Sequence, residues 1–358
     1  MTEPTFPPPH GSGSRPTYWW IQYLRGLAAA GVVIYHVYDY FPAPLGRSFE
    51  IGAHGVDVFF VISGFIMYSA ARDERVIQFV SRRLIRVFPL YWLATLFLLL
   101  LELLILKKHP SGTETVLSLA LIPHYSEMHR AEIWPILVPG WTLSYELLFY
   151  GLFALGIATR RVLAVPVVAI VALVALGALY KPHLAPLVVA TSSLLLEFLL
   201  GLLIGLAVHR RPALLLGIVL AAVAVSLGSL VLDWNGAAVY AGAAAIVAGA
   251  VWLEGSRSRI AERRDNPSPR PIRSLRLLGE ASYSIYLFHT PFLGVVSWLA
   301  GDSLAGVSEL AANTIAVAQI AAALGIGLLF HKMLEKPLLR IFNGWNRQLM
   351  AHIYPQRT

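Results

Sequence analysis

Leu24–Phe41 reads L-R-G-L-A-A-A-G-V-V-I-Y-H-V-Y-D-Y-F, and ten uncharged residues, Gly26 to Tyr35, separate Arg25 from His36. In a helix, eleven steps of about 1.5 Å put these two residues about 16 Å apart along the axis. Eleven steps of about 100° end roughly 20° past three full turns, so both side chains leave from nearly the same face. Asp39, three residues beyond His36, shares that face. An arginine and an ionisable residue inside one apolar span are costly, and so mark a candidate functional site.

Composition supports reading this stretch as a membrane helix. The chain has 358 residues, 57% of them hydrophobic and only 13% charged. A soluble domain carries about 25% charged residues, so the expected class is an all-α, polytopic integral membrane bundle. Apolar runs near the length needed to cross about 30 Å of hydrocarbon predict ten spans. They lie at 19–40, 54–71, 87–106, 141–158, 162–180, 189–208, 213–232, 236–253, 280–300 and 309–331. Residues 1–17, with five prolines and two glycines, read as a disordered tail and lack the pattern of a cleaved signal peptide. The membrane domain is expected over 18–335, with a solvated cytoplasmic linker at 254–278 and a cytoplasmic tail at 336–358. Cysteine is absent, which removes thiolate nucleophiles, disulfides and cysteine metal sites. No histidine spacing matches a metal motif, and the formal charge of +8 suits basic loops rather than nucleic acid.

Of the 28 lysines and arginines, 22 fall in the segments on one side of these spans, five on the other, and Arg25 lies within a span. The basic side is the cytoplasmic one, which predicts both termini inside. Residues 107–140 form a long outer connection, whose apolar piece Val116–Pro123 is too short to span and suggests a lid or re-entrant segment.

That topology assigns depths. His36 and Asp39 lie near the outer end of the first span, with His54 and Asp57 of the second and Glu146 of the fourth expected at the same level. A carboxylate beside a histidine orients its ring and stabilises imidazolium, and such a histidine can act as general base toward a hydroxyl. Arg25, Arg82, Arg83 and Arg86 lie toward the inner side, where arginine forks match phosphate oxygens. Each residue also has a plainer reading. The three later arginines suit a topology signal, His36 helix packing, Asp57 and Glu146 interfacial positions, and Ser63-Gly64 a close helix contact. His289 suits packing and site lining equally, and Glu102 and Glu197 have no partner identifiable from sequence.

Several phrases, in order over about 320 residues, resemble the membrane acyltransferase family 3. They are the Arg25/His36 pair, G-V-D-V-F-F-V-I-S-G-F (55–65), R-R-L-I-R-V-F-P-L-Y-W (82–92), G-W-T-L-S-Y-E (140–146), G-E-A-S-Y-S-I-Y-L-F-H-T-P (279–291) and E-K-P (335–337). The opening W-I-Q-Y-L-R-G and the lack of room for an appended domain are most similar to the exopolysaccharide O-acetyltransferases of the ExoZ type. The resemblance implies a multi-pass protein of the bacterial inner membrane. It also implies an acetyl-CoA or other acyl-CoA donor, no metal, and a saccharide or lipid-linked saccharide acceptor. In the family the arginine and histidine matched by Arg25 and His36 are the essential pair, and the phrase holding Arg82, Arg83 and Arg86 is associated with the donor. Asp39, Asp57 and Glu146 are candidates to assist His36. Two alternatives stay open: a transporter or flippase for a lipid-linked saccharide, and an acyltransferase for a small acceptor such as a macrolide sugar or lipochitooligosaccharide.

Overall fold

Apolar runs without strand-like alternation can satisfy their backbone away from water only as helices. The computed structural model describes residues 18–40, 49–107, 109–129, 132–210, 235–263, 272–300 and 307–354, and among these every regular element is helical. In chain order they are α1 (Trp19–Tyr40), α2 (Gly55–Ile66), α3 (Val76–Leu101), α4 (Gly112–Leu119), α5 (Gly140–Ala158), α6 (Ala164–Tyr180) and α7 (Ala185–Ala190). Then follow α8 (Leu195–Arg210), α9 (Asn235–Arg263), α10 (Arg273–Glu280), α11 (Ser282–Ala300), α12 (Glu309–Phe330) and α13 (Lys336–Ile353). Wider π turns extend α2 over Met67–Ala71 and α3 over Glu102–Leu106, and join α12 to α13 over His331–Glu335.

Six stretches among the described residues are long and apolar enough to cross a membrane: Glu50–Ala71, Val76–Ile105, Gly140–Ala158, Ala185–His209, Ala238–Gly255 and Glu309–Ile353. Four of the ten expected spans are not among these six. The stretch expected at 213–232, like the tail at 1–17, lies outside the described residues. Helix α6 has 17 residues. Helices α1 and α11 have 22 and 19 residues, but they carry the polar side chains of the site, which lowers their hydropathy. Helix α3 also starts eleven residues before the expected 87, so Arg82, Arg83 and Arg86 sit within it instead of ahead of it. The expected linker at 254–278 is helical over 254–263 and again from Arg273.

Helix α1 is the element around which the others pack, touching α2, α9, α10, α11 and α12. Ile21 and Ala28 join the core shared with α2, α8 and α9. On another side Ala29, Val33 and Val37 join that of α11 and α12. Two glycine crossings set the approach. A Cβ on Gly26 would stand 2.8 Å from the Gly279 nitrogen, and one on Gly279 only 2.0 Å from the Gln22 carbonyl oxygen. Between α2 and α8, a Cβ on Gly64 would meet the Phe198 carbonyl at 2.1 Å and one on Gly201 the Val61 carbonyl at 2.0 Å. Only small residues allow such close backbones, and the contacts hold Arg25 and Ser63, the neighbours of Gly26 and Gly64, in fixed positions.

In the 107–140 connection, Ser111 caps α4 by accepting from the Glu114 amide at 3.0 Å. Helix α4 then docks on α3, because Tyr91 Oη donates to the Ser118 carbonyl at 2.7 Å and Trp92 Nε1 to the Leu119 carbonyl at 2.9 Å. The expected lid piece is thus a covering helix tied to α3.

Candidate active site

Arg25 and His36 face the same neighbour. An Arg25 Nη donates to Ser282 Oγ at 3.0 Å, and the His36 ring packs on the His289 ring with centroids 4.9 Å apart and planes at 61°. Ser282 and His289 both belong to α11. Residues of rising number meet in both helices, so α1 and α11 run side by side in the same direction.

Around Arg25 lies a cavity of about 140 Å³, walled by α1, α2, α3, α5 and α11. Its polar lining is Arg25, Arg83, Arg86, Ser63, Glu146 and Tyr150, with Tyr283 and Tyr286 beside them. Glu146 accepts from Tyr150 Oη and, at 3.3 Å, from Ser63 Oγ. Arg83 lies over the rings of Phe79 and Tyr150, 5.4 and 5.7 Å from their centroids. Its buried Nε has no hydrogen-bond partner among the described residues. Arg86 stands 5.0 Å over Tyr283 and pairs with Glu335.

Glu335 is 1% exposed. Besides Arg86 it accepts from Ser284 Oγ at 2.6 Å and His331 Nδ1 at 2.7 Å. Glu335 closes the π turn His331–Glu335, and its side chain reaches Ser284 of α11 and Arg86 of α3. A buried carboxylate so fully engaged acts as an anchor for Arg86.

The histidine end is built differently. His36 Nδ1 lies 2.9 Å from the Val32 carbonyl and His289 Nδ1 2.7 Å from the Tyr286 carbonyl. A carbonyl can only accept, so Nδ1 is the protonated nitrogen in each ring and Nε2 is left to accept a proton. The buried His289 Nε2 has no partner among the described residues.

The candidates from sequence therefore separate into groups. Arg25, Arg83 and Arg86 share one cavity. Arg82 instead pairs with Glu74 and donates to the Gln78 carbonyl at 3.3 Å. Glu146, expected beside His36, lies on the arginine cavity, because it is six residues into α5. Asp57 binds His54 Nδ1 at 2.9 Å and interacts with Glu197 of α8. Asp39 is exposed at the end of α1. The contacts holding the His36 ring are thus a backbone carbonyl, a second histidine and the edge-on Tyr35 ring, its centroid 5.1 Å away. His289, Glu335 and Tyr150 complete the arrangement. Glu335 had a signal in the E-K-P phrase, and His289 in Y-S-I-Y-L-F-H-T-P; Tyr150 had none beyond its place one turn after Glu146.

A family model described as an acyltransferase domain matches residues 18–332. The exopolysaccharide production protein ExoZ of Rhizobium meliloti (strain 1021) is 36% identical over 312 residues, which cover 82% of this chain and 92% of that protein. No solved structure matches. The matched region contains Arg25, Arg83, Arg86, His36 and His289 together, and the chain belongs to this acyltransferase family.

Proposed function

We propose that the protein is an integral-membrane O-acyltransferase that moves an acyl group, acetyl in the simplest case, from acyl-CoA to a hydroxyl of an exopolysaccharide or its lipid-linked precursor. The observation that carries this reading is one helix, α11, meeting a cationic cavity at Ser282 and a histidine pair at His289. The donor enters from the cytoplasmic side. Its phosphates meet Arg25, Arg83 and Arg86, and its pantetheine arm runs along α1 toward His36. The cavity's volume of about 140 Å³ is room for a phosphate group, and the rest of the donor extends beyond it. The separation of about 16 Å between Arg25 and His36 is comparable with that arm.

In the transfer, His36 Nε2 takes the proton of the acceptor hydroxyl as its oxygen attacks the thioester carbonyl. The carbon–sulfur bond breaks and an ester carbon–oxygen bond forms. The departing thiolate recovers the proton from His36 and leaves as CoA thiol. Backbone carbonyls fix both histidine tautomers, so Nε2 is available for this step.

Purified protein in liposomes, given labelled acetyl-CoA and base-deacylated exopolysaccharide, tests the reading. Label in alkali-labile ester on the polysaccharide is the expected result. Saccharide movement across the bilayer without donor, and without label transfer, would replace it with a transporter.

A further inference from the structure

A second, larger cavity of about 490 Å³ lies against the other end of α11, between α11, the end of α3 and the 107–140 connection. Its size falls within the roughly 300–1,000 Å³ of ordinary ligand pockets. Arg25's cavity is lined from α11 by Ser282, Tyr283 and Tyr286. The second is lined by Thr290, Gly294 and Trp298. The lining residues follow one another about four apart and so wind around α11, through about 160° from Ser282 to Trp298, and along the axis His289 stands between the two sets.

The chemistry of the two linings is opposite. Glu102, Glu114, Ser126, His129, Thr290 and Ser297 supply the polar groups, and no lysine or arginine lines the cavity among the described residues. Such a wall repels phosphate and accepts hydrogen bonds from hydroxyls. Glu114 is 3% exposed, and its Oε2 is buried without a hydrogen-bond partner among the described residues, as is Thr290 Oγ1. Glu114 Oε1 already accepts from the Glu127 amide at 3.3 Å; buried polar atoms are normally paired, which leaves Oε2 as an acceptor and the Thr290 hydroxyl as a donor or acceptor. Trp298 is half-exposed on the same wall, where an indole face can take the C–H side of a sugar ring.

From this we infer that the second cavity is the acceptor subsite, taking an uncharged sugar unit whose reacting hydroxyl points along α11 to the His289–His36 pair. The inference rests on the acyltransferase reading and adds where the acceptor binds and which charge class it excludes.

Gly294 gives the test. A Cβ there would meet nothing within 4 Å, and replacing a helix glycine favours folding, so Gly294→Phe fills the cavity in a folded protein. Two measurements follow on the purified, reconstituted protein. Calorimetric titration with oligosaccharides from base-deacylated exopolysaccharide, with no donor present, should show binding by wild type and at least tenfold weaker binding by Gly294→Phe and Glu114→Gln. In transfer assays the same variants should raise the oligosaccharide KM at least about tenfold while the acetyl-CoA KM stays within about twofold. Wild-type oligosaccharide affinity or KM in Gly294→Phe would overturn the inference, as would no binding by wild type. Binding by wild type that Gly294→Phe abolishes, with no transfer in either, would keep the cavity as a saccharide site and remove the acyltransferase reading.

Discussion

The two ends of α1 differ in how much of their bonding capacity is already used. At the Arg25 end, charges hold one another: Glu335 engages Arg86, Ser284 and His331, and Glu146 engages Tyr150 and Ser63. At the His36 end, two imidazoles lean on each other, each tied by Nδ1 to a backbone carbonyl, with no partner for Nε2 among the described residues. On the proposed reading, the difference divides binding from chemistry. A cation site must be rigid before its anion arrives, since ordering several charged side chains on binding would cost affinity. A proton acceptor must keep a lone pair open.

The largest effect should come from the uncommitted end. His36→Ala should lower transfer by about 10³-fold, within the usual range for losing a general base, with unchanged insertion and unfolding temperature. Wild-type acylation of exopolysaccharide by this variant would sink the proposed chemistry. A stable acyl-protein adduct trapped on His36 would instead turn the step into two transfers through the imidazole.

Breaking the anchored end should show in stability first. Glu335→Gln leaves Arg86 without its counter-charge. Such a loss costs about 3–5 kcal/mol for a fully buried pair, and about 3 is expected here because the Arg86 side chain is 29% exposed. Thermal unfolding in detergent checks it, and an unchanged midpoint would show that Arg86 finds another partner. Arg25→Gln should be milder for the fold, because the Arg25 bond to Ser282 is to a neutral hydroxyl. It should instead weaken acetyl-CoA binding by about 1.5–3 kcal/mol, roughly tenfold to a hundredfold in donor KM. Equal loss of donor and acceptor KM would contradict the division between the two ends.

How much of this could be read from the chain depends on whether a feature lies within one helix. The bounds of α1 and the shared face of Arg25 and His36 follow from an unbroken apolar run and its period. What lies between helices does not follow. Arg86 and Glu335 are 249 positions apart. Glu335 also ends a π turn, His331–Glu335, whose extra residue defeats a 3.6-residue count. Sequence alone puts Glu146 beside His36, because both lie near one end of an apolar run. Its true neighbours are set by how far α5 sits along α1, which packing decides. The partner of His36 was a histidine on α11, and no period within α1 could identify it.

Asp39 gives the smallest effect and a sharp test of that lesson. By spacing it belongs on the His36 face, three residues away, and it was a natural carboxylate to orient the ring. In the structure it is exposed at the end of α1, and the ring nitrogen it would hold is already given to the Val32 carbonyl. An exposed charge near the ring still acts through solvent, where such interactions are worth about 0–1 kcal/mol. Asp39→Asn should therefore change transfer by no more than about threefold, and raised salt should remove even that difference. Loss on the scale of His36→Ala would mean that Asp39 turns inward when substrate is bound, so that the free lone pair of His36 is made by a carboxylate after all.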